Sequence, residues 1–233
     1  MDAAQAAAQA GGPDVTTPLV VIGGGEHARV VLEAALSSPE QWTVRGFLDP
    51  EACEKTVQLL GVRRIGGDDM IESLATQDSA LRFIIGVGDT GSTRRRRQIV
   101  SRLSEYGIRW ASVIHADASV SPTARVGHGV VVMAGSVVNA GAELGDHTVV
   151  NTGAIVEHDV ELGEFTQLGP RACIGGGSLL GADCYVGLGA CIRDHISVGA
   201  GAIVGMGAVV VGDVEPDTLV MGVPARRVVR ESR

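Results

Sequence analysis

At 233 residues the chain has room for two modest domains. Its formal net charge of −8 sets it against a general binder of the nucleic-acid backbone. No apolar run reaches the ~18 residues of a membrane-spanning helix, and Cys53, Cys173, Cys184 and Cys191 show no C-x-x-C pair or ligand-like spacing, so no metal site is expected.

Met1 to Pro18 is rich in Ala, Gln and Gly and lacks a basic start. It reads as a flexible tail rather than a signal peptide, which predicts free thiols and a cytoplasmic location. Leu19-Val20-Val21-Ile22 is then a short apolar run of the kind that makes a buried parallel strand. It runs into Gly23-Gly24-Gly25-Glu26-His27-Ala28, after which Val30, Val31, Ala34 and Leu36 suggest a helix. Strand, glycine turn and helix start together form a cradle for a phosphate, where backbone N–H groups and the helix dipole face an anion. The spacing also satisfies G-x-G-x-x-A, with Asp49 closing a second strand from Thr43 to Leu48.

A turn is expected after Asp49-Pro50, then a strand at Val62–Ile65 and a short helix near Met70–Ala75. Arg82 to Ile85 reads as a further strand, ending in a second glycine turn at Gly86-Val87-Gly88-Asp89. The helix that follows, about Thr93 to Tyr106, carries Arg94, Arg95, Arg96 and Arg97. Four arginines on one helix read first as a solvated face; the alternative is that one or two at its start, Arg94 foremost, pair with a diphosphate. Two glycine turns at one edge of a parallel sheet make the ligand crevice of an open α/β fold. The unit ends near residue 111 and is too short for a complete two-half dinucleotide fold.

From Ile114 the pattern changes. Every sixth residue through Val210 is aliphatic, seventeen stops without a miss. A fixed six-residue period predicts a parallel β-helix, with one short strand and one turn per hexad. Residues two before each stop are small or short, and nine of those one after it are Gly, among them Gly127, Gly145, Gly163, Gly175 and Gly205. These glycines are expected to ease the corner that follows. Three hexads close one triangular coil, so residues eighteen apart stack at about 4.8 Å.

The outward residues sort into three faces. The first reads Ser119, Val137, Ile155, Cys173, Cys191, Val209 and is mostly apolar. The second reads Arg125, Glu143, Glu161, Leu179, Ser197 and is mostly polar. The third reads Val131, Val149, Gln167, Tyr185, Ile203 and is again apolar. Two exposed apolar faces per prism predict a three-fold ring of copies. The repeat ends at Val210, and Met221-Gly222-Val223-Pro224-Ala225 forms a loop before a basic tail with Arg226, Arg227, Arg230 and Arg233.

Among six histidines, His128, His147 and His195 read as solvent-facing turn residues. His158 differs, because it lies in Val156-Glu157-His158-Asp159-Val160 at the corner between the first face and the polar one. A flanking carboxylate can hold its ring in one tautomer and suit it to general-base work. Eighteen residues on, the chain reads Gly175-Gly176-Gly177, a corner whose N–H groups could hold an oxyanion. Gln167 points outward from the third face and could reach this rim from a neighbouring copy.

These residues carry a resemblance. Ile22 to Val30, Ile114-His115, Asn151 to Asp159 and Gly222 to Ala225 resemble the hexapeptide-repeat N-acetyltransferases of nucleotide-linked 4-amino-4,6-dideoxy sugars, related to the sialic acid O-acetyltransferases. The resemblance spans nearly all of Leu19 to Val228. It implies an α/β Rossmann-like domain at 19–111 that binds a nucleotide sugar, then an all-β left-handed parallel β-helix at 112–212 and a C-terminal loop and tail at 213–233. It implies a homotrimer with acetyl-CoA as co-substrate in the groove between adjacent β-helices, and work in polysaccharide biosynthesis. His158 and Asp159 take the catalytic positions. Asn151, Gln167, Gly176, Leu188, Gly205, Gly222, Pro224 and Ala225 take those of acetyl-CoA binding. Gly23, Gly24, Gly25, His27, Asp49, Gly86, Asp89 and Arg94 take those of the nucleotide sugar. Two positions depart from the family pattern: Glu26 stands where Gly usually precedes the His, and Gln167 where many members carry a second His. Gln cannot take a proton, which leaves His158 as the only base. The alternatives are O-acetylation of a sugar hydroxyl with the same base and a non-catalytic nucleotide-binding scaffold. An NAD-linked enzyme is disfavoured by the small first domain.

Overall fold

A computed structural model describes residues 16–88 and 91–228. The expected flexible tail, apart from its last three residues, lies outside this range, as do Asp89, Arg230 and Arg233. The first unit is a four-stranded parallel sheet in the order β3-β2-β1-β4, built from β1 (Thr17–Ile22), β2 (Trp42–Leu48), β3 (Arg64–Gly66) and β4 (Arg82–Ile85). Helix α1 (Glu26–Leu36) buries Ala28, Val31, Leu32, Ala34 and Ala35 against it. This is one half of a dinucleotide fold, as the short length requires. Helix α2 (Glu54–Leu60) stands where only a turn was expected. It buries Thr56 alone and so shows no apolar period in the sequence. α3 (Ile71–Gln77) and α4 (Arg94–Leu103) complete the unit. Trp110 then adds a parallel bridge to Phe83 beside β4, so the chain leaves the first sheet directly into the first coil.

The hexads form seventeen two-residue strands, β5 (Val113–Ile114) to β21 (Val209–Val210), in a left-handed β-helix. Register is the eighteen-residue one throughout, with Glu143 beside Glu161 and Cys173 beside Cys191. The strands divide into three parallel sheets that correspond to the three faces. The aliphatic stops point inward and are buried, from Val132 and Val138 through Val204 and Val210. Each buried Val, Leu or Ile is worth about 1.5–3 kcal/mol, and the repeat supplies one per hexad.

The corner chemistry differs from expectation. From Gly129 to Gly207 the residue that adopts left-handed φ is the third after the stop, not the first: Gly153 at +65°, Asp159 at +56°, Phe165 at +58° and His195 at +54°. Positive φ at that place is what a type II turn needs at its third residue. The glycines one after the stop serve close approach instead. At Gly163 a Cβ would lie 2.5 Å from Ala182 N on the next coil.

The first domain docks on the third face. Val131 and Val149 are fully buried and share a cluster with Val31, Ala35 and Phe47 of the α/β unit. Helix α4 clamps the adjoining corner. Arg96 is fully buried and donates from Nη2 to His147 O at 2.8 Å. Arg97 pairs with Asp183 at 2.8 Å and Glu164 at 3.0 Å, and lies 4.2 Å above the Phe165 ring. Thr93 Oγ1 donates to Asp183 at 2.7 Å. His147, expected at the surface, is 5% exposed, stacked on Phe165 and edge-on to Trp110. Burial, then the nearby Arg96 charge, lowers its pKa to about 4. So one of the two apolar faces predicted to join copies is covered by the chain itself.

The glycine assignment can be checked by unfolding. Gly163→Ala must push two coils apart and is expected to cost about 3 kcal/mol. Gly153→Asn, at a left-handed position with only the Arg171 side chain near, is expected to cost under about 1 kcal/mol, since Asn tolerates that conformation. The reverse order in urea midpoints would restore the corner reading of the first-position glycines.

Candidate active site

Two separate groups of residues carry chemistry. The first lies between the domains. A crevice of about 540 Å³ is lined by Gly23, Gly25, His27, Asp49 and Gly86 from the α/β unit and by Asn151, Gln167, Tyr185 and Leu188 from the β-helix. It opens where β1 and β4 end and where α1 begins, which is the ligand edge of such a sheet. A second cavity of about 480 Å³ adjoins it past Asp49, lined also by Glu51, Asp68, Gln98 and Arg102. Both volumes are of small-ligand size.

The glycine turn is partly spent on its own fold. Gly23 N donates to Leu48 O at 2.7 Å, and Gly24 N to Asp49 Oδ2 at 2.7 Å. Asp49 Oδ1 accepts from Glu51 N at 2.8 Å. The Asp49 carboxylate therefore fastens the turn, and the N–H groups left for an anion are those from Gly25 onward at the start of α1. Glu26 turns outward; its side chain is 94% exposed and 3.7 Å from Arg29. His27 is buried enough that burial, then the Arg96 charge, lowers its pKa to about 4, so it is neutral. Its Nε2 and the Gln167 Oε1 are buried without a hydrogen-bond partner among the described residues. Arg94 does not reach the crevice. It lines a shallow site with Arg97, Ser101 and Arg102, and the arginine that lines the crevice is Arg95.

The second group lies at the other edge of the first face. His158 Nδ1 is 3.0 Å from Asp159 Oδ2, and the ring is exposed. That hydrogen bond places the proton on Nδ1 and leaves the Nε2 lone pair free. Nε2 is turned to Gly176, where a Cβ would approach it to 2.5 Å. Gly177 N donates to His158 O at 2.9 Å, while Gly176 N has no acceptor among the described residues. Base and free N–H thus share one corner. The hydrogen bond to Asp159 raises the His158 pKa above its usual 6.5, more than its slight burial lowers it.

The remaining expected acetyl-CoA residues divide between edges. Asn151, Leu188 and Gly205 lie at the corner between the third and first faces. The Gly222–Ala225 loop closes the end of the first face, with Val209 N donating to Gly222 O at 3.0 Å and Ala225 N to Val209 O at 2.7 Å. Gln167 is buried and lines the crevice of its own chain. A larger groove of about 630 Å³ runs over the polar face past Arg125 and Glu143 and touches none of the expected site residues. Among the described residues no cluster of His, Cys, Asp or Glu could hold a metal ion, and no helix is long and apolar enough to cross a membrane. Sequence reasoning did not assign Tyr185 to the site, and among the arginines at the start of α4 it put Arg94 ahead of Arg95. Tyr185 was findable, since it stands eighteen residues after Gln167 in the same outward column.

Residues 18–103 match the PglD N-terminal domain family. No curated protein matches the chain. Among solved structures, PerB from Caulobacter crescentus, in complex with CoA and GDP-perosamine, is 37% identical over 91% of this chain and 97% of its own, with a TM-score of 0.81. The chain belongs to the hexapeptide-repeat nucleotide-sugar N-acetyltransferases. Within that family, the acetyltransferase domain of PglB from Neisseria gonorrhoeae, in complex with acetyl coenzyme A, is 36% identical over 92% of this chain and all of its own, with a TM-score of 0.82. Two further structures of the Caulobacter crescentus perosamine N-acetyltransferase, 35% identical, carry one histidine replaced by asparagine or alanine.

A base with a raised pKa is neutral only at higher pH. The acid limb of the rate should therefore rise through a pKa above 6.5. Asp159→Asn removes the hydrogen bond to the charged form and should move that limb to lower pH while reducing the plateau. A limb unchanged in Asp159→Asn would detach Asp159 from the base.

Proposed function

We propose that the protein transfers the acetyl group of acetyl-CoA to the 4-amino group of a nucleotide-linked 4-amino-4,6-dideoxy sugar. The observation that carries this reading is the His158–Asp159 pair turned toward Gly176, in a chain 37% identical to an enzyme held with CoA and GDP-perosamine. Neutral His158 takes a proton at Nε2 as the amine attacks the thioester carbon. Asp159 holds the ring through Nδ1, and Gly176 N–H receives the oxyanion. The C–S bond then breaks, its electron pair passing to sulfur. Domain 19–111 holds the nucleotide sugar in the crevice through the α1 N-terminus, Gly25, His27, Gly86 and Asp49, with Gln167 and Tyr185 closing it from the β-helix. Domain 112–212 holds acetyl-CoA, aided by the loop in 213–233.

The crevice and His158 lie on opposite edges of the first face. Along one coil the two corners are six residues apart, at most about 20 Å between equivalent places. One chain turns the two groups to different sides, so the reading assigns the base of one copy to the crevice of the next. Three copies in a ring satisfy this at every junction. Support for contact between copies comes from the first face, where Ile155, Cys173 and Val209 are only partly buried, and from the ridge beside it, where Leu188 is 51% and Met206 74% exposed.

Acetyl-CoA consumption with UDP-, dTDP- and GDP-linked amino sugars tests the reaction. His158→Ala should cost about 10²–10⁴-fold in turnover with acetyl-CoA binding retained. A variant that keeps more than about a tenth of the rate falls well short of a general base and would overturn the assignment. Light scattering at micromolar protein should give a trimer mass; a monomer mass would reject the shared site.

A further inference from the structure

Two imidazoles, not one, lean on the glycine corner. His158 reaches forward from the coil before it, and a Cβ on Gly176 would lie 2.5 Å from Nε2. His195 reaches back from the coil after it, and a Cβ on Gly177 would lie 2.5 Å from Nδ1. His195 N donates to Gly176 O at 2.9 Å, which fixes the coil, and the residue is exposed. Its ring has no hydrogen-bond partner among the described residues. Gly175 already explains itself by the close approach of Arg193 and Asp194 backbone. At Gly176 and Gly177 the space a Cβ would need is taken by the two imidazole rings, His158 over the first and His195 over the second. The sequence treats His195 as an idle turn residue, and nothing in the proposed function uses it.

Acetyl transfer from a thioester has three poles around the tetrahedral carbon: the attacking nitrogen, the oxygen and the sulfur. On the reading above, His158 stands at the nitrogen and Gly176 N–H at the oxygen. The sulfur carries the long CoA arm, which that reading runs toward Gly205 and Gly222–Ala225 at the C-terminal end of the prism. His195 lies on that side of the glycine corner, one coil further toward the C-terminal end. We propose that His195 stands at the sulfur pole and gives a proton to the departing CoA thiolate. As the C–S bond breaks, its electron pair goes to sulfur and the His195 proton follows. His195 is reloaded from water, and His158 releases the amine's proton to water, so acetyl-CoA and amine become amide and CoA thiol. A thiol with a pKa of about 8.5 leaves as a fair anion unaided, so the proton serves chiefly to stop its return. The charged groups on the coils around His195 are Arg193 and Asp194 on its own, Glu157, His158 and Asp159 two coils before, and Asp213 on the next, whose Oδ1 accepts from Ser197 N.

The inference rests on the acetyltransferase reading, and one experiment separates the two. His195 has φ +54°, so His195→Asn keeps the left-handed turn that Asn tolerates. Turnover and the acetyl-CoA KM are measured for both proteins from about pH 6 to 9. The wild type should show an acid limb and a basic limb. In His195→Asn, kcat should fall about 10- to 100-fold, the basic limb should vanish, and the acetyl-CoA KM should hold. In His195→Ala, free imidazole should restore part of the rate. Full kcat with the basic limb intact, or a raised KM at unchanged kcat, overturns the role of His195 and leaves the acetyltransferase reading standing. A wild type that moves no acetyl group overturns that reading and the role of His195 with it.

Discussion

The rest of the molecule depends on one constraint: three hexads must close one coil, so that any address recurs every eighteen residues. Closure is driven by one aliphatic side chain per hexad, packed into a prism interior with no room for larger groups. The same closure sets what each corner can be. The residue at the left-handed position bears the turn, and the residue one after the stop must yield to the next coil, which comes inside van der Waals contact of any added methyl at Gly163. Chemistry is then a matter of address. His158 and Gly176 are distant in sequence and adjacent in space because both occupy the second place of the same corner.

The α/β unit uses the prism as a wall. Its docking buries Val131 and Val149, and α4 seals the corner with Arg96 and Arg97. An arginine charge so deep requires a fixed acceptor, which the His147 carbonyl supplies. Burial first, and the Arg96 charge second, keep the flanking His147 and His27 neutral. These contacts fix the crevice as well as the interface, because its floor is the continuation of the same face at Gln167 and Tyr185. The cost of the arrangement is distance. With the third face covered and the crevice at one edge, the base on the far edge of the first face belongs to a different opening.

The sequence made the period legible because a six-residue repeat leaves one residue type at one place with no competing pattern. All seventeen strands, the inward aliphatics and the corner that unites His158 with Gly176 were read from it. What it did not disclose were effects between units. Third-face apolarity looked like a contact between copies because the α/β unit and the prism lie far apart in the chain. His147 looked like any corner histidine, and the four arginines looked like a solvated face, for the same reason. Within the glycine turn, the spacing placed Asp49 at the crevice, which it does line, but hid its second task of fastening the turn. Its oxygens hold Gly24 N and Glu51 N, hydrogen bonds that no spacing rule reveals.

If base and crevice act together only across two copies, mixing two inactive chains restores activity. One chain carries His158→Ala and keeps its crevice. The other carries Gly25→Trp at the crevice wall, where the backbone is extended at φ −77° and no atom lies within 4 Å of a Cβ, so an indole there is expected to block the crevice. Each chain alone should be inactive. Unfolded together at equal amounts and reassembled, they should regain about a quarter of the wild-type rate, the share of junctions that join an intact base to an intact crevice in a random ring. No recovery from a mixture shown to contain hybrid rings would place the whole site within one chain and contradict the account.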